Sequence, residues 1–139
     1  MTPIFATIDT NVLVSALITK KSEAATVLVM EAVFSGKTKP LYNQKILDEY
    51  EEVLHRPKFH IENVMIRSFI DFIRTYGFSV NAISTGEKLK DPDDLVFYEV
   101  TMTVPNAKLI TGNIKHFPIQ PNIITPAQMV KILNERSSV

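Results

Sequence analysis

The stretch "FATIDTNVLVSAL", Phe5 to Leu17, sets how the rest of the chain is read. Ile4 to Ile8 is short, apolar and β-rich, the pattern of a buried strand. "NVLVSALI", Asn11 to Ile18, reads as a short helix that Thr10 or Asn11 can cap. Between them stands Asp9. Burying an unpaired carboxylate costs several kcal/mol. Either Asp9 reaches the rim of the fold, or a positive charge meets it there.

Working outward, the chain alternates strands and helices. Ser22 opens a helix, "SEAATVLVMEAVFSG", that Gly36 ends. "TKPLYN" is a brief strand interrupted by Pro40. "NQKILDEYEEVLHRP" is a helix stopped by Pro57, and residues 61–76 form another that Gly77 closes. "FSVN" is a short strand, and residues 82–90 are a polar loop. "DPDDLVFYEVTMTV" opens with helix-start signals: Asp91 at the cap, Pro92 first, acids in the first turn. "AKLIT" and "NIIT" are strands, and "PAQMVKILNER" is a terminal helix. Such alternation predicts a parallel sheet with helices on both faces. Ligands of open sheets bind beyond the carboxyl ends of the strands. Asp9 lies at such an end, as do Thr111, Gly112 and Asn113. They share an edge if their strands are neighbours.

At 139 residues, 1–139 is most simply one domain with room for a full core. The 45% apolar content is that of a globular protein. Fifteen basic and fifteen acidic residues cancel, which is not the footprint of a strongly basic nucleic-acid binder. Acids gathered in one metal-filled site would leave the remaining surface more basic than the total. With no cysteine, disulfides, thiolate chemistry and Cys-based zinc sites are excluded. "MTPIFATID" lacks a charged n-region and a cleavage site, so no signal peptide is expected. No apolar run approaches the ~18 residues of a membrane span. A cytoplasmic protein is the expectation.

Four acids are candidates for chemistry, each with a plainer alternative. Asp9 is either an acidic helix cap or a hard oxygen ligand for Mg²⁺ or Mn²⁺. In "ILDEYEEVL", Ile46, Leu47, Tyr50, Val53 and Leu54 share one face. Asp48 and Glu52 point away from it and read as solvated. Glu49 and Glu51 flank it, and periodicity does not separate them. Asp91 reads as a cap, with Asp94 three residues on as its capping-box-like partner. Their crowding with Asp93 is repulsive, and a cation would relieve it. Asp93 is expected to face solvent.

Other chemistries find less support. His55, His60 and His116 show no zinc-binding spacing. There is no G-x-S-x-G, and the four glycines form no phosphate loop. Phe69 and Phe72 fall at helical spacing and read as core rather than as base-stacking platforms.

Together, "IDTNVLVSAL" after a strand, "ILDEYEEVLHRPKF" on a helix, "DPDD" opening a later helix and "LITGN" after a strand resemble the PIN-domain family. The chain looks closest to its subgroup of toxin components of toxin–antitoxin pairs. The resemblance runs from Ile4 to about Ile132. It implies a three-layer α/β/α sandwich with a central, mainly parallel sheet. It also implies a metal-dependent ribonuclease using Mg²⁺ or Mn²⁺, with Asp9, Glu49, Asp91 and Asp94 as metal ligands and catalytic acids. Asn11 and Thr111 match polar residues that position ligands or water. The resemblance further suggests a small antitoxin partner and a homodimer. Arg56, Lys58, Lys115 and His116 are candidate grips for flanking RNA phosphates.

One position departs from the family. T-G-D is common after this strand, whereas this chain reads Thr111-Gly112-Asn113. Asn113 offers a carbonyl oxygen without charge. Two-metal sites need enough anionic ligands for two ions ~3.5–4 Å apart. A rival reading is therefore a catalytically weak PIN fold that binds RNA or protein without turnover. A third is a phosphatase with Asp9 as nucleophile. The absence of an acid two residues on and of a basic cradle speaks against it.

Overall fold

The computed structural model describes residues 2–137. Eleven principal elements follow one another: β1 (Ile4–Ile8), α1 (Thr10–Ile18), α2 (Ala25–Phe34), β2 (Thr38–Tyr42), α3 (Gln44–Leu54), α4 (Asn63–Tyr76), β3 (Phe78–Ser79), α5 (Pro92–Thr103), β4 (Lys108–Ile110), β5 (Ile123–Ile124) and α6 (Pro126–Ser137). Short 3₁₀ turns at Pro57–Phe59 and Ile114–His116 complete the described order.

The strands form one five-stranded sheet in the order β3-β2-β1-β4-β5, every pair parallel. The chain steps outward from β1 to β2 to β3, then returns across β1 to lay down β4 and β5. The direction of winding thus reverses between β1 and β4. That is the switch point at which open sheets of this kind bind ligands. Ile8 stands opposite Ile110, and Asp9 N–H donates to Ile110 O at 2.9 Å. The carboxyl ends of β1 and β4 are therefore adjacent.

Helices cover both faces, which is why β1 can be apolar throughout. Thr101 of α5 shares a 2.8 Å hydrogen bond with the Thr7 hydroxyl, so Thr7 faces α5. Alternation then turns Ala6 and Ile8 to the opposite face. There α2 and α4 pack on β2, with Phe34 of α2 in edge contact with Phe69 and Phe72 of α4. α6 packs on α2. α3 buries the five residues its periodicity marks, Ile46, Leu47, Tyr50, Val53 and Leu54. Its Tyr50 hydroxyl donates to Ile8 O at the carboxyl end of β1, tying α3 to the switch point.

Several local details differ from the sequence reading. α2 begins at Ala25 rather than Ser22, and α4 at Asn63 rather than at residue 61. The cap of α1 is Asp9, not Thr10 or Asn11. Gly77 does close α4, but in an extended conformation at φ −78° rather than a left-handed one. Its requirement is closeness: a Cβ there would lie 2.5 Å from Ile73 O and 2.8 Å from Pro40 O. The bare backbone lets α4 pass directly into β3 beside β2.

Candidate active site

Asp9 sits at the switch point and is only 7% exposed. Although it holds the cap position of α1, its carboxylate makes no cap hydrogen bond. Instead Oδ2 accepts from the hydroxyl of Thr111, just beyond β4, at 2.7 Å. Thr111 is itself fully buried, and its Oγ1 also accepts from Asn113 N–H at 3.0 Å. Burial pushes the Asp9 carboxyl above its ordinary value. The Thr111 hydroxyl, the nearby amides of Asn11 and Thr10 and the charge of His116 pull the other way. Burial wins.

Asp91 and Asp94, expected to form one capping pair, take separate roles. Asp91 caps α5, accepting from Asp93 N–H at 3.0 Å. Asp94 does not complete a capping box. Its carboxylate lies 3.6 Å from His116 Nδ1 and is mostly shielded, at 16% exposure. Burial first, then the negative charges of Asp9 and Asp91, push it up to about 6. The His116 ring lowers it without reversing the shift.

Glu49 is half-buried, whereas Glu51 is exposed. Glu49 lines a groove of about 630 Å³ between α3 and α5 together with Asp48, Glu52 and Asp93. Burial and then the charge of Asp93 raise its carboxyl, with smaller contributions from Glu52 and Asp91. Asp93, Asp48 and Glu52 are exposed as expected, yet they are groove walls rather than idle surface. Periodicity along one helix carries no signal for this, because the groove arises from where two helices meet. Arg56 pairs with Glu52 at 3.1 Å, and Lys58 Nζ stands 5.1 Å from the centre of the Phe59 ring. Asn11, Asn113, Lys115 and His116 are all exposed around the rim.

The four acids are linked electrostatically. Asp94 feels Asp9 and Asp91, and Glu49 feels Asp91. Among the described residues, no three His, Asp or Glu side chains converge into a ready cage for a metal ion. The donor chemistry nonetheless fits a hard divalent ion. Carboxylates whose charge is disfavoured by burial and by one another are what Mg²⁺ or Mn²⁺ relieves, and Mg²⁺ keeps several of its waters.

Residues 6–115 match the PIN domain, a span that holds all four acids and Thr111. The chain belongs to the PIN-domain family. Its fold also resembles a chain in the crystal structure of VapBC2 from Rickettsia felis bound to a DNA fragment from their promoter. That similarity has a TM-score of 0.55 at 18% identity, covering 88% of this chain and 97% of the other. No curated protein matches the chain. The α/β/α architecture expected from the sequence is therefore the PIN fold, and the acids stand on its carboxyl edge.

Proposed function

We propose that this PIN domain is a metal-dependent endoribonuclease and the VapC-like toxin component of a toxin–antitoxin pair. The observation that carries this is the buried Asp9 carboxylate at the β1–β4 switch point, with Asp94 beside it held up to about 6. Such a cluster is costly to a fold and useful to a site that must hold cations against a phosphate.

Asp9, Asp91, Asp94 and Glu49 would hold Mg²⁺ or Mn²⁺. When bound, such an ion supplies a water of lowered pKa and offsets charge on the phosphate. Thr111 fixes the Asp9 carboxylate by its hydrogen bond. Asn11 and Asn113 offer amide groups at the rim to position ligands or water. Glu49 orients the attacking water or shares the cation. Lys115 and His116 grip neighbouring phosphates of the RNA, whereas Arg56, the candidate on the other flank beside Lys58, is paired with Glu52. A small antitoxin would occupy this site in the resting state, and the working form would be a cytoplasmic homodimer. The Rickettsia neighbour is itself a VapBC2 assembly, which supports a protein partner here.

A second reading rests on Asn113, which offers an uncharged amide where the family commonly has an acid. It is a PIN fold that binds RNA or protein without turnover. The deciding experiment is cleavage of labelled structured and single-stranded RNAs with Mn²⁺, Mg²⁺ or EDTA. Metal-dependent cutting that disappears in a folded Asp9→Asn variant supports the nuclease; unchanged cutting by that variant refutes the assignment of Asp9. Cutting by Asn113→Asp alone supports the binding fold.

A further inference from the structure

Residues 82–90 carry no regular structure, yet they are lashed down. Thr85 donates to Glu99 of α5 from both its N–H and its hydroxyl, at 2.6 and 3.0 Å. Ile83 N–H donates to Thr103 Oγ1 at 2.9 Å. Leu89 is half-buried against the core. These anchors set Lys88 and Lys90 in the lining of a cleft that also holds Glu87, Asp91, Asp94, Lys115 and His116. The salt bridges among the described residues involve Arg56, Arg74 and His116. Lys88, Lys90 and Lys115 form none.

The opposite flank differs in charge. The groove beside Glu49 sets Lys45 and Arg56 against Asp48, Glu49, Glu52 and Asp93, and Arg56 is committed to Glu52. Acids outnumber bases four to two there, whereas the other cleft balances Lys88, Lys90 and Lys115 against Glu87, Asp91 and Asp94, so a polyanion meets less repulsion on that side.

We propose that Lys88 and Lys90 join Lys115 in a phosphate track along which single-stranded RNA reaches the acids from the His116 flank. This rests on the ribonuclease reading and adds a direction of approach to it. Lysine suits the role because it meets a phosphate as a point charge and leaves sequence unread.

The test is binding of a fluorescein-labelled, mixed-sequence single-stranded RNA by anisotropy, in EDTA so that nothing is cut, across a salt series. Each lost phosphate contact removes about 0.7 from the slope of log affinity against log salt. Lys88→Ala/Lys90→Ala should therefore flatten the slope by about 1.4 and weaken low-salt binding more than about tenfold. Lys88→Arg/Lys90→Arg should restore the slope. Lys20→Ala/Lys21→Ala, which removes the same charge from the α1–α2 connection, should leave it unchanged. A wild-type slope in Lys88→Ala/Lys90→Ala, or an equal loss in Lys20→Ala/Lys21→Ala, overturns the track and leaves the nuclease standing. Wild-type protein that binds no RNA at any salt also overturns the track, while the nuclease is decided separately by cleavage with Mn²⁺ or Mg²⁺.

Discussion

Thr111 Oγ1 donates to Asp9 Oδ2 at 2.7 Å, joining residues 102 positions apart across the β1–β4 junction. The bond is the main force opposing the effect of burial on Asp9. Thr111→Val keeps the shape and removes the donor. It should cost about 1–3 kcal/mol, because a buried carboxylate loses its partner. Urea titration measures this, and Thr111→Ser should recover most of it. Metal-dependent RNA cleavage should fall in Thr111→Val beyond what its loss of folded protein explains.

Asp94 supplies a pH prediction. Its folded value of about 6 lies above the ordinary 3.8, so the folded chain binds the proton more tightly than the unfolded one. Stability contributed by that proton is present at low pH and is lost as pH rises towards 6. Asp94→Asn should therefore be more stable than wild type at about pH 8, by about 1–2 kcal/mol after solvent screening. The advantage should vanish near pH 4. Melting curves at the two pH values check both ends.

Metal should reverse that order. Millimolar Mn²⁺ should raise the melting temperature of the wild type at neutral pH, since binding to the folded state alone stabilises it. Asp94→Asn and Asp9→Asn should respond much less. An equal rise in all three would place the ion elsewhere.

Gly77 is set by contact rather than by its torsion. Gly77→Ala should destabilise by about 1–3 kcal/mol, since the new methyl meets backbone oxygens from two elements that cannot rotate away. The loss should show in the denaturation midpoint, with RNA cleavage per folded molecule retained.

Tyr50→Phe isolates one hydroxyl. Its ring remains against Phe69 and Phe97, while Ile8 O loses the buried hydrogen bond. The expected cost is about 1–2 kcal/mol, measured by the same titration.

Much of the fold was legible because local periodicity records burial. The apolar run at Ile4–Ile8, the buried stripe of α3 and the Asp91-Pro92 start of α5 all occur where the residues demand them. Relations between distant segments were not so legible. Nothing near Asp9 states that β4 rather than β2 will bring it Thr111, because strand order is decided by the whole set of crossovers. Asp94 shows the same limit. Three residues after a cap, its spacing fits a capping box, and only the packing of α5 beside the Ile114–His116 turn sends it to His116 instead. Lys88 and Lys90 sat in a stretch that composition marks only as polar. Their placement comes from Thr85 and Leu89, whose partners lie on other elements.

The central position of β1 also sets a clock. Asp9 leaves the ribosome early, but its neighbouring strand β4 starts at Lys108 and its hydrogen-bond donor is Thr111. A chain halted before Lys108 already carries Asp9, Glu49, Asp91 and Asp94, but Asp9 has neither its neighbouring strand nor its hydrogen-bond donor. The pairing that completes the site spans most of the polypeptide, which makes it a late event in folding. On the proposed nuclease reading, the site stays incomplete through most of its own synthesis and closes only when about the last quarter of the chain supplies β4 and Thr111.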